Sequence, residues 1–277
     1  MKEIVCPVCR EELIREEGRW RCAKGHSYDI ASQGYVNLLL SSQKHAKVPG
    51  DSREMVEARE RFLASGCYGF LGEQVAEEAA KLLEGLPRPV VVDAGCGEGW
   101  YTVQIAAALR NQGQEPLTVG LDISKFALRS AAKKDRSGVW AVASLFDMPV
   151  ASEAADLVTN LFAPIAGMEF RRVLRPGGWL LGVSPGPDHL LSLKERLYDK
   201  AYRNGPVPEP EPEAGLLLRR RITVAREFTV GSQALLQDLF QMTPYVWKSP
   251  RESRERLAAL DRQNTQGDFV LSFYQKA

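Results

Sequence analysis

Hydrophobic and polar positions in the central part of the chain alternate between two periods. Short runs rich in β-branched residues, which suit buried parallel strands, are followed by stretches with apolar residues at helical spacing. The predicted strands span 89–93, 117–122, 139–143, 156–161 and 179–183, and the predicted helices span 99–110, 125–134 and the region of 171–172. This alternation predicts an α/β fold with a doubly wound parallel sheet, helices on both faces and right-handed crossovers.

Two helices are predicted before the first strand of this sheet. Asp51 is the expected N-cap of the first helix, because Glu54 follows at capping-box spacing, and Gly66 is its expected end. The second helix is predicted over 71–84.

The pattern changes again near the C-terminal end. The stretch 206–213 contains four prolines and three glutamates, and it is expected to be an extended acidic surface loop. Beyond it, strands over 221–230 and 269–275 are expected to form an antiparallel edge, with helices over 233–240 and 251–262 between them.

Composition narrows the class of protein without naming a partner. A chain of 277 residues with 44% hydrophobic and 26% charged residues suits one large α/β domain with a small appendage. The net charge of +1 gives no general support for nucleic-acid binding. No apolar run approaches the roughly 20 residues that span a bilayer, and no export signal is visible, so the expected location is the cytoplasm.

The cysteines are concentrated in the first 22 residues and indicate a metal site. Cys6 and Cys9 form a C-x2-C pair, and Cys22 and His26 form a C-x3-H pair twelve residues later. Two such pairs are what a tetrahedral structural zinc requires, with one ion per chain and no position left for water. The alternative is three buried thiols beside an incidental histidine.

Basic residues lie around the second ligand pair and could contact phosphates, although four glutamates share the segment. The basic residues are Arg19, Arg21, Lys24, Lys44 and Lys47. Charge alone therefore does not assign an RNA-binding role to this segment.

A glycine-rich loop follows the first strand of the sheet. Gly95, Gly97 and Gly99 stand at alternate positions after Asp93, where a backbone without side chains can pass close to a ligand. Trp100 occupies the position of the last glycine of a dinucleotide fingerprint, and no Gly-Lys-Ser/Thr run follows for a phosphate loop. Asp122 ends the next strand, where a carboxylate can accept hydrogen bonds from both hydroxyls of a ribose.

Over residues 85–185 these features resemble the class I, Rossmann-like methyltransferases that use S-adenosylmethionine. A turn at 175–178, Arg-Pro-Gly-Gly, precedes the fifth strand and adds to the resemblance. The resemblance implies that Asp93, the three glycines and Asp122 bind S-adenosylmethionine. The alternative is that both aspartates cap helices and that the glycines only form turns.

Nearly the whole chain resembles the bacterial 23S ribosomal RNA (guanine-N1)-methyltransferases. The motifs that carry this resemblance lie at 34–38, 49–52, 55–59, 62–63, 93–99, 185–190 and 241–244. It implies a guanine in a hairpin loop as target, a zinc-binding head that helps to recognise RNA, and a homodimer. It also implies cofactor contacts at Tyr68, Gly99, Trp100 and His189, although Tyr68 could be a core residue and His189 a helix cap.

The expected domain division is a zinc-binding domain over 1–40, a helical linker over 41–84 and the methyltransferase domain over 85–277. Asn160 and Phe162, at the end of the fourth strand and directly after it, are candidate contacts to the target base, while Phe162 could equally be core.

No general base is assigned, and His189, Glu98 and water are the candidates. The competing functions are methylation of a small molecule or a protein, and a non-catalytic RNA-binding or assembly role.

Overall fold

The computed structural model describes residues 2–43, 49–243 and 249–277, which form two sheets with helices packed around the larger one. A three-stranded antiparallel sheet comprises β1 (Leu13–Glu16), β2 (Arg19–Cys22) and β3 (Ser27–Asp29). The strands of the larger sheet are β4 (Val36–Asn37), β5 (Val90–Ala94), β6 (Leu117–Asp122), β7 (Val139–Val142), β8 (Ala155–Leu161), β9 (Leu174–Pro185), β10 (Leu216–Val230) and β11 (Gln263–Lys276).

The larger sheet has the order β10-β11-β9-β8-β5-β6-β7-β4. The strands from β9 to β4 pair in parallel, and β11 pairs antiparallel with both β9 and β10. The order reverses at β5, so the carboxyl ends of β5, β6 and β8 meet at a switch point where ligands bind in open α/β sheets. The predicted fold class, a class I methyltransferase sheet behind a small Cys-rich head, is confirmed.

Eight α-helices lie within the ranges that the model describes. They are α1 (Arg53–Ala64), α2 (Gly69–Leu82), α3 (Trp100–Asn111), α4 (Lys125–Lys134), α5 (Gly167–Val173), α6 (Leu191–Leu197), α7 (Gln233–Gln241) and α8 (Arg251–Ala258). None of them combines the length and the apolar character needed to cross a bilayer.

The start of α1 differs from the prediction by one residue. Ser52, not Asp51, is the N-cap, because its side chain accepts a hydrogen bond from the backbone N–H of Met55 at 3.3 Å. The Asp51 carboxylate instead contacts the guanidinium of Arg59. Serine and aspartate are both favourable N-cap residues, so residue type does not decide which of the two caps α1. The ion pair between Asp51 and Arg59 leaves Ser52 as the cap.

The two C-terminal strands are longer than predicted. They pair with each other along their whole length, from Leu216 opposite Lys276 to Val230 opposite Gln263, and α8 ends four residues earlier than expected, at Ala258. The turn at 175–178 lies inside β9, where the register with β8 shifts. The stretch 206–213 is irregular and ends in a 3-10 turn at Pro212–Ala214.

The zinc-binding head shares a hydrophobic core with the larger sheet. Ile4, Leu13 and Trp20 are buried in the same cluster as Val92 and Leu121. In addition β4, which lies within the predicted head, pairs in parallel with β7 and forms the edge of the larger sheet. The head and the sheet are therefore packed as one unit over the described residues.

Trp140 of β7 packs against the glycine loop and against β6. Its ring is 2% exposed, and a Cβ placed on Gly120 of β6 would lie 2.3 Å from it. A Cβ on Gly99 would lie 2.8 Å from the same ring. The absence of side chains at both glycines therefore allows the indole to fill the space between β6 and the loop.

We expect Gly120→Ala to lower the free energy of unfolding by about 1–3 kcal/mol, because the added methyl overpacks the Trp140 site. Urea titration followed by circular dichroism measures this change. Gly69→Ala is the matched control, since a Cβ there meets no atom within 4 Å. Equal stability of the Gly120 variant and the wild type would contradict the packing described here.

Candidate cofactor site and zinc centre

The glycine loop between β5 and α3 adopts a backbone that only glycine accepts readily. Gly95, Gly97 and Gly99 have φ values of +89°, +54° and +77°. A Cβ on Gly95 would lie 2.4 Å from the Cβ of Ala163, beyond the end of β8. The loop is thus fixed in a left-handed path at the switch point, and its backbone is available for a close ligand contact.

Asp93, which precedes this loop, is buried and hydrogen-bonded within the protein. The carboxylate is 1% exposed and accepts hydrogen bonds from the hydroxyls of Thr102 at 2.5 Å and Thr159 at 2.9 Å. Burial raises the pKa of Asp93 to about 6, although both threonine hydrogen bonds lower it. Asp93 therefore ties β5 to α3 and β8, and these hydrogen bonds favour a role in orienting the loop over the predicted direct cofactor contact.

Asp122, at the end of β6, is held by two backbone hydrogen bonds. One of its oxygens accepts the backbone N–H of Gly97 at 2.9 Å and the other that of Ser124 at 2.7 Å. Each carboxylate oxygen keeps a further lone pair, so both hydroxyls of a ribose can still donate to it. Burial raises the pKa of Asp122 to about 6.

Tyr68 and His189, which are both predicted as cofactor contacts, lie next to each other in the structure. Both are buried, and Tyr68 Oη is 3.3 Å from His189 Nε2. His189 Nδ1 accepts the backbone N–H of Asp268 at 3.3 Å, so the proton of the neutral ring belongs on Nε2. Burial lowers the pKa of His189 to about 3, which keeps the ring neutral.

The hydrogen bonds of His189 argue against a role as the general base. One ring nitrogen accepts from the backbone and the other donates to Tyr68, so neither offers a lone pair to a substrate proton. The geometry thus favours a positioning role for His189.

A chain of aromatic rings joins these two residues to the glycine loop. Phe269 of β11 has its ring centroid 5.1 Å from that of Tyr68, 4.6 Å from that of His189 and 5.7 Å from that of Phe162. Tyr101 continues the chain from Phe162 to Trp100, with centroid distances of 6.3 Å and 4.7 Å. The cluster brings four of the sequence-predicted residues, namely Tyr68, Trp100, Phe162 and His189, into one neighbourhood.

Sequence reasoning missed Phe269 and Tyr101 as members of this cluster. Phe269 was predicted only as a strand residue, since nothing local relates it to a loop about 170 positions earlier. Tyr101 had a local signal, because it lies directly after Trp100 at the beginning of α3.

Asn160 and Phe162 differ sharply in their surroundings. Asn160 is 4% exposed, and its side-chain amide donates to the carbonyl oxygens of Ala94 at 3.0 Å and Pro164 at 3.2 Å. Both amide protons are therefore used within the protein. Phe162 has a φ of +58°, which is uncommon for a bulky residue. Its side chain is 46% exposed, and this exposure contradicts the alternative that it is a core residue.

The four predicted zinc ligands converge in the head. Their ligand atoms lie within 4.8 Å of one another. Nδ1 of His26 is 3.5 Å from Sγ of Cys6 and 3.4 Å from Sγ of Cys22, and Sγ of Cys9 is 3.7 Å from Sγ of Cys22. Tetrahedral Zn²⁺ with Zn–S near 2.3 Å separates its ligands by about 3.5–3.8 Å, so the donor set fits a structural zinc.

The surroundings of this centre connect it to the sheet. Tyr28 Oη is 3.2 Å from Sγ of Cys6, a contact that orients the ligand. Arg10, which follows Cys9, donates to the carbonyl oxygen of Met148 at 2.9 Å. The zinc loop is thereby attached to the segment between β7 and β8.

The predicted phosphate contacts of the head are partly engaged within the protein. Arg19 pairs with Glu16 at 2.8 Å and Lys24 with Glu11 at 3.5 Å, while Arg21 is exposed. Lys44 and Lys47 lie outside the described residues, as does Pro244 of the 241–244 motif.

Two family models match this chain, one for each part. The model described as "RlmA, N-terminal", a zinc ribbon, matches residues 4–47, and the model described as "Methyltransferase domain" matches residues 91–178. The first match contains all four zinc ligands, and the second contains the glycine loop and Asp122.

Similar proteins extend the match to nearly the full length. The 23S rRNA (guanine(748)-N(1))-methyltransferase of Streptomyces fradiae is 38% identical over 92% of this chain and 90% of its own. A Micromonospora griseorubida protein named as a 23S rRNA (guanine-N(1)-)-methyltransferase is 35% identical over 94% and 92%. The chain therefore belongs to the 23S rRNA (guanine-N1)-methyltransferase family, with a zinc ribbon and an S-adenosylmethionine-dependent methyltransferase domain.

Proposed function

We propose that this protein transfers a methyl group from S-adenosylmethionine to N1 of a guanine in a hairpin loop of 23S ribosomal RNA. The observation that carries the proposal is one packed unit that holds both a four-ligand zinc ribbon and the glycine loop with Asp122. The 38% identity to a relative named for this activity supports it. We further propose that the protein acts in the cytoplasm as a homodimer, as the family resemblance implies.

The cofactor site follows from the residues at the switch point. Asp122 accepts the ribose hydroxyls, and the glycine loop lets the ligand approach the beginning of α3. The aromatic cluster connects Trp100, at the beginning of α3, with Tyr68 and His189. S-adenosylmethionine supplies a methyl group on a sulfonium, so positioning and exclusion of water are the main tasks of the protein.

The target base must leave its stack to reach this site. Phe162 presents a half-exposed ring beside the cofactor loop, on which the guanine stacks. Asn160 fixes the segment that carries this ring, through its bonds to Ala94 and Pro164. Because His189 has no free lone pair, Glu98 and water remain the candidate acceptors of the N1 proton.

The first prediction tests the reaction itself. Incubation with radiolabelled S-adenosylmethionine and undermethylated 23S rRNA should label the RNA, and primer extension should stop at one guanine because N1 methylation blocks Watson–Crick pairing. Label in a small molecule or a protein, with none in the RNA, would replace the proposal with one of the rival methyltransferase activities. RNA binding without any S-adenosylmethionine binding in calorimetry would favour the non-catalytic role.

The second prediction concerns the stacking ring. Phe162→Ala should lower kcat/KM for the RNA about tenfold or more, since stacking a base on an aromatic ring contributes roughly 1–3 kcal/mol. Phe162→Tyr keeps the ring and should retain most of the activity. Because the side chain is 46% exposed, the thermal unfolding midpoint of both variants should change little. Wild-type kcat/KM in the alanine variant would remove Phe162 from the substrate site.

The third prediction concerns the zinc centre. Metal analysis should find one zinc per chain, and Cys22→Ala should lose it, because three ligands hold Zn²⁺ more weakly than four. RNA methylation should then fall more than affinity for S-adenosylhomocysteine, since the glycine loop and Asp122 lie outside the head. Loss of cofactor affinity with RNA affinity intact would contradict this division of roles.

A further inference from the structure

The side chain of Arg59 reaches from α1 onto the glycine loop. Its Nη1 lies 3.3 Å from the position of a Cβ on Gly97, and 3.5 Å from Oε2 of Glu98. Its Nη2 contacts the carboxylate of Asp51, just before α1. The Arg59 side chain is 23% exposed, so the guanidinium is largely enclosed between the helix and the loop.

Glu98 is a buried carboxylate that lacks part of its hydrogen bonding. The residue is 2% exposed, and its Oε2 has no hydrogen-bond donor among the residues that the structure describes. The 3.5 Å approach of Arg59 is electrostatic, because it exceeds the usual hydrogen-bond distance of about 2.7–3.2 Å. A purely structural ion pair at such a site is normally completed by hydrogen bonds. The missing bond therefore points to a ligand that donates to Glu98.

This pair of charges lies directly beside the ribose position. The backbone N–H of Gly97 donates to Asp122 at 2.9 Å. Glu98 is the next residue of the same loop, and the guanidinium of Arg59 reaches it from α1. S-adenosylmethionine carries an α-carboxylate and an α-ammonium at the end opposite its adenine. A planar guanidinium suits a carboxylate through two parallel hydrogen bonds, and a carboxylate accepts readily from an ammonium group.

We propose that Arg59 and Glu98 bind the amino-acid end of S-adenosylmethionine. Arg59 pairs with its α-carboxylate, and Glu98 accepts hydrogen bonds from its α-ammonium. Asp51 holds the guanidinium through its other terminal nitrogen, Nη2. The cofactor then replaces the incomplete Arg59–Glu98 contact with two charge-assisted pairs and links α1 to the glycine loop. The inference rests on the proposed use of this cofactor and does not depend on the RNA target.

Two nucleosides that differ only in the amino-acid end test the assignment. S-adenosylhomocysteine has that end, and 5′-methylthioadenosine lacks it. Calorimetry on the full chain should show that Arg59→Ala weakens S-adenosylhomocysteine binding about 10- to 100-fold, as expected for lost hydrogen bonds between charged groups. Binding of 5′-methylthioadenosine should change less than about twofold. Glu98→Gln should show the same selectivity, and Arg59→Lys a smaller loss because it keeps the charge.

Arg61→Ala is the matched control on the same helix. Arg61 is 59% exposed and pairs with Asp238 of α7 at 2.6 Å, so its removal should leave both affinities unchanged. Equal losses for both nucleosides in the Arg59→Ala and Arg59→Lys variants would overturn the proposal, as would unchanged affinity for S-adenosylhomocysteine. A wild-type protein that binds neither nucleoside would instead remove the proposed function itself.

Discussion

The buried carboxylate of Asp93 is the interaction on which the architecture of the site depends. It stands at the end of the central strand and accepts hydrogen bonds from Thr102 of α3 and Thr159 of β8. Three elements that are separate in the sequence are thereby held at one point, directly before the first glycine of the loop. A buried carboxylate left without such donors would be strongly destabilising, so the two threonines make this arrangement possible.

Concentrated negative charge is a consequence of the same arrangement. Asp122 and Glu98 lie close enough to Asp93 that their charges raise its pKa, in addition to the effect of burial. Arg59 opposes this accumulation, since its positive charge lowers the pKa of Asp122. The helix α1 thus contributes a counter-charge to a site that is otherwise built from the ends of strands. A site of this kind suits a ligand that carries positive charge near the loop.

Features that depend on local spacing could be predicted from the sequence. The zinc ligands occur in two short pairs, and the glycine loop follows a β-branched run, so each required only a few neighbouring residues. The central strands of the parallel sheet could be predicted as well, because β5, β7 and β8 are buried along their whole length and rich in apolar residues. The N-cap of α1 was missed by one residue, since two adjacent capping residues are equivalent until Arg59 engages one of them.

Features that depend on distant contacts could not be predicted in the same way. The ring of Phe269 reaches Tyr68 and His189 only because β11 is inserted between β9 and β10. The partners of Asp93 are likewise two ordinary threonines on different elements. Periodicity gives no information about either arrangement, since both are decided by strand order.

The shared core of the head and the sheet constrains how an RNA can be read. Because β4 is an edge strand of the larger sheet and Trp20 packs in the same cluster as Val92, the zinc ribbon cannot turn freely relative to the glycine loop. An RNA bound to the head would therefore present its loop at a fixed distance from Phe162. The protein then does not need a base-specific contact at each position of the RNA to select one guanine. The fixed distance between the head and the site excludes the bases that cannot reach the site.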